Sequence, residues 1–174
     1  MKPLYIRVDA GGDIGLGHLR RMQALASAIQ HQDPTVETRL VTQTPQAFYD
    51  ALPVADALRR WPFYCGEETE ASVLQASTPV ALPGTWVFDL PHQPRVRLLM
   101  GLRELGHQIV LIDHACPFRS AVDLLVMPHW HLPTPAITGL QGIFGPRFLY
   151  GPEYVIVPED IRSLAPRPFQ GMDP

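Results

Sequence analysis

One stretch near the amino terminus constrains the fold more than any other. Leu4, Ile6 and Val8 form an alternating apolar run that predicts a β-strand, and a glycine-rich segment follows at residues 11–17. Its glycines permit positive φ and leave backbone amides free, so a ligand can approach the main chain closely. From Gly17 onward, apolar residues recur with the spacing of a single helical face: Leu19, Met22, Ala26 and Ile29. The stretch therefore predicts a strand, a glycine-rich loop and a helix in succession.

A histidine occupies the first turn of that predicted helix. His18 is followed three residues later, on the same face, by Arg21. Asp9 comes directly after the strand, and a carboxylate that is hydrogen-bonded to an imidazole orients the ring. A neutral, oriented imidazole is what a general base requires, so we expect His18 to be the base and Asp9 to orient it. The pattern also allows a histidine that only caps or packs the helix.

The glycine-rich segment lacks two nucleotide-binding signatures. The dinucleotide fingerprint has its third glycine where this chain has Arg20. A P-loop requires a Lys-Ser or Lys-Thr pair after the glycines, and none follows here. The sequence therefore argues against NAD binding and against NTP hydrolysis.

Strand and helix patterns alternate along the rest of the chain. They predict an α/β fold, a Rossmann-like parallel sheet with helices on both faces. Ligands of such sheets bind beyond the carboxyl ends of the strands, so Asp9, Asp89 and Asp113, which end three predicted strands, are expected at one edge. From residue 139 onward we expect turns without periodicity, and from 158 a proline-rich linker or tail. The predicted strands are 37–42, 61–65, 85–88, 108–112 and 123–127, and the predicted helices are 46–52, 67–76 and 93–105, the last with Val96, Leu99, Leu102 and Leu105 on one side.

Composition narrows the class of protein. The 174 residues suffice for one domain with a single core, and a formal net charge of -3 without a basic stripe argues against a nucleic-acid partner. No apolar run approaches the roughly 20 residues that span a bilayer, and no signal peptide precedes the first strand. We therefore expect a cytoplasmic protein without a membrane span.

The histidines outside the loop indicate no metal centre. His129 and His131 have a spacing that can bind zinc, but no third ligand stands nearby in the sequence. His31 and His107 fall at predicted helix ends and are expected to face solvent. We expect neither a metal nor an organic cofactor.

Short motifs at matching order and spacing over residues 1–157 resemble those of one enzyme family. The motifs are Arg7-Val8-Asp9, Ile14-Gly15-Leu16-Gly17-His18 with Arg21, Val87-Phe88-Asp89, Val110-Leu111-Ile112-Asp113 and Leu149-Tyr150-Gly151-Pro152-Glu153-Tyr154. With them the chain resembles the amino-terminal half of the nucleotide-sugar hydrolases of pseudaminic acid biosynthesis. These enzymes cleave UDP from UDP-2,4-diacetamido-2,4,6-trideoxy-altrose, and their spore-coat polysaccharide relatives are similar.

The resemblance implies a GT-B architecture, in which two Rossmann-like domains face each other across a cleft. Residues 1–157 would form the amino-terminal domain and 158–174 an interdomain linker or tail. A carboxyl-terminal, nucleotide-binding domain is absent from this sequence and would be supplied separately or by a longer chain. The family's catalytic histidine corresponds to His18: water attacks the anomeric carbon with inversion, and UDP leaves without the help of a metal. The implied partner is a UDP-activated amino-deoxy sugar.

The expected site combines the residue patterns with this resemblance. His18 and Asp9 are the expected catalytic residues. Expected substrate-binding residues are Arg7, Gly15, Gly17, Arg21, Asp89, Asp113, His114 and Tyr150. Two other functions stay open, because a fold does not by itself determine a reaction. One is a non-catalytic sugar-binding or assembly subunit, and the other is a glycosyltransferase domain whose histidine loop meets an acceptor sugar.

Overall fold

The computed structural model describes residues 2–50, 59–64, 83–116, 118–128 and 132–163. Its strands are β1 Leu4–Val8, β2 Thr38–Thr42, β3 Arg59–Tyr64, β4 Thr85–Asp89, β5 Gln108–Ile112, β6 Leu124–Met127 and β7 Phe148–Tyr150. They form one seven-stranded sheet in the order β3-β2-β1-β4-β5-β6-β7. Each neighbouring pair is parallel. The predicted α/β, Rossmann-like fold is confirmed.

Helices cover both faces of this sheet. In the described ranges they are α1 Gly17–Gln32, α2 Gln46–Asp50, α3 Val96–Glu104, α4 Thr134–Phe144 and α5 Glu159–Arg162. Successive strand residues point to opposite faces, so alternation decides which helix a residue meets. On one face Ile6, Val8 and Val87 are buried together with Leu19 and Met22 of α1.

The opposite face is built on aromatic residues. Tyr5, Trp86 and Phe88 are buried there with the apolar sides of α3 and α4. The Tyr5 and Trp86 rings stack with centroids 4.7 Å apart, and the Trp86 and Phe88 centroids are 5.8 Å apart. The strands β1 and β4 therefore carry aliphatic side chains towards α1 and mainly aromatic ones towards α3.

The predicted strands from β2 to β6 are confirmed, with ends shifted by one or two residues. The helix predicted at 93–105 is shorter than expected. It begins at Val96, because Pro94 disfavours helical backbone at the residue before it. It ends before Gly106, which has a φ of 84°. Leu105 therefore lies past the helix and is 52% exposed. Leu98, which was not on the predicted apolar side, is buried.

The turn-rich segment expected from residue 139 is only partly confirmed: short 3-10 turns are present at Gly145–Arg147 and Pro152–Tyr154, but regular structure occupies the rest of residues 139–150. Helix α4 spans most of its beginning, and β7 follows as the edge strand beside β6. Gly139 and Gly142 lower the helix propensity of this segment, but Leu140 and Phe144 are buried against the sheet. Packing of those two side chains outweighs the local preference.

Several predicted segments lie wholly or partly beyond the described ranges, among them the ends of the predicted helix 46–52 and strand 61–65. The helix predicted at 67–76 is outside the described residues, and so are 164–174 of the predicted linker. Helix α5 occupies the start of that predicted linker. Among the described residues, no helix is both long and apolar enough to cross a lipid bilayer.

His107 is buried, which corrects the expectation that it faces solvent. It is 6% exposed, and its ring meets Tyr5 edge-on at 5.7 Å between centroids. Its Nδ1 accepts a hydrogen bond from the backbone N–H of Gly84 at 3.0 Å, which requires that nitrogen to be unprotonated. Burial lowers the pKa of His107 below its ordinary value of 6.5.

Truncation of the core side of α3 tests this packing. Leu99 is fully buried, so Leu99→Ala should lower the free energy of unfolding by about 2–5 kcal/mol, measured by urea denaturation. Met100 on the same helix is 42% exposed and provides the matched control, because Met100→Ala removes little buried surface. Equal losses in the two variants would contradict the described orientation of α3.

His107 also predicts a pH dependence of stability. Above about pH 6.5 the ring is neutral in both folded and unfolded chains, and the stability is fully present. As the pH falls below that value, His107 is protonated in the unfolded chain but not in the folded chain, so the free energy of unfolding decreases. The decrease ends once the pH is below the pKa of His107 in the folded chain. His107→Gln retains an acceptor for Gly84 but cannot titrate. It should show a smaller loss of unfolding free energy than the parent between pH 7 and pH 5, and exposed His31→Gln should follow the parent.

Candidate active site

The edge of the sheet at the carboxyl ends of the strands contains a topological switch point. The chain runs from β1 outward to β2 and β3, and then returns to the other side of β1 to build β4 onward. Loops that follow β1 and β4 therefore diverge and leave a crevice between them, which is where ligands of such sheets bind. The loop from Gly11 to Gly17 and the start of α1 lie at this crevice.

His18 and Asp89 form a hydrogen bond at this edge. His18 Nδ1 and Asp89 Oδ1 are 2.7 Å apart, the His18 side chain is 25% exposed, and that of Asp89 is fully buried. Because a carboxylate only accepts hydrogen bonds, Nδ1 is the donor in this contact, and in the neutral form of the ring Nε2 then keeps its lone pair. Among the described residues none forms a hydrogen bond with Nε2. His18 therefore has the tautomer that a general base needs.

Arg21 binds both oxygens of the same carboxylate. Its Nε donates to Asp89 Oδ2 at 2.8 Å and its Nη2 donates to Oδ1 at 2.5 Å. The remaining nitrogen, Nη1, forms an ion pair with Asp113 Oδ2. Burial alone would lower the pKa of Arg21, but the hydrogen bonds and charge of Asp89, followed by those of Asp113, raise it above its ordinary value.

Arg21 Nη2 also lies 3.3 Å from His18 Nδ1. This contact is not a hydrogen bond in the tautomer described above, because both atoms carry hydrogens. The two donors approach each other because both are directed at Asp89 Oδ1. The shared oxygen thus fixes the imidazole relative to the guanidinium.

Asp9 does not contact His18, and the prediction that it orients the ring is wrong. Its Oδ1 accepts from Arg7 Nη1 at 2.5 Å and from the backbone N–H of Gln43 at 2.7 Å. Arg7 and Asp9 lie two residues apart and share the face of Tyr5, whereas α1 packs on the face of Ile6. Asp89 shares the face of Val87, which meets α1, so Asp89 rather than Asp9 reaches the imidazole. Arg7 is only 1% exposed, so its side chain has almost no surface that could make the substrate contact predicted for it.

The backbone at Asp113 is unusual. Its φ is 64°, and it is the one non-glycine residue with a positive φ in the described part of the chain. Ile112 belongs to the α1 face, so continued strand alternation would direct the next side chain to the opposite face. The left-handed backbone breaks this alternation, and the Asp113 carboxylate meets Arg21 of α1.

The other predicted site residues occupy different positions. Gly15 has a φ of 73° and accepts a backbone hydrogen bond from Gly11, and Gly17 begins α1. His114 Nε2 donates to the carbonyl of Leu90 at 2.7 Å, which joins the loops after β5 and β4. Tyr150 ends β7, four strands from β1 and hence roughly 19 Å away at about 4.8 Å per strand. The fold thus brings His18, Arg21, Asp89 and Asp113 together, keeps the two glycines and His114 nearby, and leaves Tyr150 apart.

A cleft of about 360 Å³ lies at the loops that follow β1 and β2, and none of the four clustered residues lines it. Its lining includes Asp9, Gly11, Gly12, Thr44, Phe48 and His92. His92 was not among the predicted site residues, and its place after β4 is the signal that could have indicated it. A larger groove of about 950 Å³, between α1 and residues 157–162, contains none of the edge residues.

Metal ligands are not clustered in the described part of the chain: no group of three or more histidine, cysteine, aspartate or glutamate side chains is placed to hold an ion there. The pair His129 and His131, whose spacing can bind zinc, lies outside the described residues.

Comparison with known proteins gives no assignment. No protein-family model matches this sequence. Neither does any curated protein. The family resemblance therefore depends on the motifs quoted above alone. The structure shows the fold and the arrangement of the edge residues.

Loss of Arg21 should destabilise the protein. Asp89 is fully buried, and removal of its cationic partner leaves an incompletely compensated charge. Arg21→Met should lower the unfolding free energy by about 3 kcal/mol, measured by denaturant titration at neutral pH. The neighbouring Arg20 is exposed, and Arg20→Met should change the stability by less than about 0.5 kcal/mol. Similar stability of both variants would contradict the buried pairing.

Proposed function

We propose that this chain supplies the general base, His18, for the hydrolysis of a nucleotide sugar to the free sugar and UDP. One observation carries the proposal: Asp89 holds His18 in the tautomer that leaves Nε2 unprotonated at the ligand-binding edge of the sheet. The substrate class follows the motif resemblance, which indicates a UDP-activated amino-deoxy sugar used in cell-surface polysaccharide or nonulosonic acid synthesis. The proposal includes the cytoplasmic location expected from the sequence.

The chemistry begins with a water molecule between His18 Nε2 and the anomeric carbon. Nε2 takes a proton from this water as its oxygen bonds to the anomeric carbon from the side opposite UDP. The bond between that carbon and the UDP oxygen breaks, and UDP leaves with the electron pair. The products are UDP and the sugar with inverted anomeric configuration, and the imidazolium then returns its proton to solvent.

Charges at the edge suit this proton transfer. Asp89 and Asp113 carry two negative charges, and Arg21 carries one positive charge, so the three side chains have a net charge of -1. The imidazolium that forms during the reaction balances this charge, as a buried aspartate does for a catalytic histidine in hydrolases. The arrangement stabilises the transition state more than the neutral ground state.

In this proposal two domains share the recognition of the nucleotide sugar. The glycine loop and the amides at the start of α1 can face the sugar and the adjoining phosphate, because helix amino termini attract anions. Most of the UDP would be held by a carboxyl-terminal GT-B domain, which the resemblance implies.

Transfer to an acceptor sugar is the second candidate function. The cleft of about 360 Å³ next to the glycine loop falls within the size range of small-molecule sites, and Phe48 and His92 give it an aromatic and a polar wall. In that reaction the same imidazole would deprotonate an acceptor hydroxyl instead of water.

Substitution of His18 tests the proposed base. UDP release from UDP-2,4-diacetamido-2,4,6-trideoxy-altrose is measured with the chain alone and with an added carboxyl-terminal domain of a hydrolase of the resembled family. His18→Gln should lower the rate of UDP release roughly 10²-fold to 10⁴-fold, because it removes general base catalysis. His31→Gln, at the other end of the same helix, should leave the rate unchanged.

The products separate the functions that remain open. Free sugar identified by mass spectrometry supports hydrolysis, whereas a disaccharide formed only when an acceptor is added supports transfer. Equal rates for His18→Gln and the parent would remove His18 from the mechanism. Sugar-nucleotide binding without UDP release in either mixture would identify a binding subunit instead.

A further inference from the structure

We propose that Asp113 is a positioning residue, which acts through Arg21 and Asp89 to keep His18 in the tautomer with a proton on Nδ1. Its catalytic meaning rests on the proposed function, but the tautomer of His18 can be measured independently of any reaction. This role replaces the substrate contacts predicted for Asp89, Arg21 and Asp113.

Every nitrogen of the Arg21 guanidinium is bound to a carboxylate. Nε and Nη2 are bound to Asp89, and Nη1 is bound to Asp113. The Arg21 side chain is 16% exposed, so solvent competes little with these contacts. A guanidinium is rigid and planar, and the two carboxylates, one at the end of β4 and one directly after β5, therefore fix both its place and its plane. In this arrangement Arg21 serves the carboxylates rather than a phosphate.

The position of Asp89 Oδ1 determines the tautomer of His18. This oxygen accepts from both His18 Nδ1 and Arg21 Nη2. A carboxylate that turns away from the ring no longer selects the proton on Nδ1, and the neutral imidazole can then carry its proton on Nε2, where it cannot act as a base. Asp113 anchors the third nitrogen of Arg21, and so opposes that rotation.

The backbone of Asp113 is left-handed, with a φ of 64°. Glycine adopts this conformation without cost, and most residues with a Cβ avoid it. Aspartate is among the few that adopt it, because its short polar side chain can form local hydrogen bonds, and here its carboxylate meets Arg21. Non-glycine residues in this conformation concentrate at functional sites.

Two substitutions separate this role from a purely structural one. Asp113→Asn retains a side chain that tolerates the left-handed backbone but removes the charge. Asp113→Gly removes the anchor, and its backbone adopts the left-handed conformation without cost. Asp123→Asn is the matched control, because Asp123 pairs with Arg103 at 3.2 Å at the opposite end of the neighbouring strand β6.

The measurement is ¹⁵N NMR of histidine-labelled protein at a pH where the His18 ring is neutral, with His18→Gln used to assign the signals. The parent and Asp123→Asn should show His18 with its proton on Nδ1. Asp113→Asn and Asp113→Gly should show a substantial population with the proton on Nε2. A parent ring that already mixes both tautomers, or folded Asp113 variants with the parent's spectrum, would overturn the positioning role.

Kinetics provide the second readout and keep the two proposals distinguishable. With UDP release as the assay, Asp113→Asn should lower kcat roughly 10-fold to 100-fold, the range typical of residues that orient a functional group, while KM stays unchanged. A raised KM with unchanged kcat would assign Asp113 to substrate binding and overturn its positioning role. A shifted tautomer in proteins that release no UDP would support positioning by Asp113 and refute the proposed function alone.

Discussion

The buried carboxylate of Asp89 is the group on which the arrangement of this sheet edge depends. It is fully withdrawn from solvent, and a carboxylate in that position is tolerated only when other groups compensate its charge. Arg21 provides the compensation, and His18 shares one of the two oxygens. These two residues are one helical turn apart on α1, so a single packing of α1 on the sheet delivers both. The requirement to neutralise Asp89 therefore also orients the imidazole.

The two faces of the sheet carry separate ionic clusters at this edge. On the α1 side, Arg21 lies between Asp89 and Asp113. On the other side, Arg7 and Asp9 form a buried pair that also joins β1 to the chain after β2 through Gln43. The first cluster is next to the partly exposed His18, whereas the second borders the cleft at the glycine loop. Because strand alternation keeps these clusters apart, a carboxylate at the end of a strand serves chemistry or structure according to its face.

Much of the fold was predictable from local patterns. The glycine loop between an alternating strand and an amphipathic helix predicts β1 and α1, and apolar runs that end at Asp89 and Asp113 predict two more parallel strands. Helix α4 was not predictable in this way, since its glycines resemble turn signals and its stability comes from the burial of Leu140 and Phe144. Strand alternation gives a signal for the partner of His18 once the face that α1 covers is known. Asp89 is two residues after Val87 and shares its face, whereas Asp9 lies on the opposite face with Tyr5.

The sequence by itself determined the parallel α/β class, the glycine loop and the place of His18 in the first turn of α1, because backbone preference and hydrophobic period act over short windows. Only the tertiary structure decided that Asp89 rather than Asp9 orients the imidazole. That contact joins residues 71 positions apart and depends on how α1 lies across β1 and β4. The left-handed backbone at Asp113 likewise cannot be inferred from the residue type, because aspartate far more often has a negative φ, and it brings this carboxylate to Arg21. The sequence thus places the reactive group, and the packing of α1 on the sheet selects its partners.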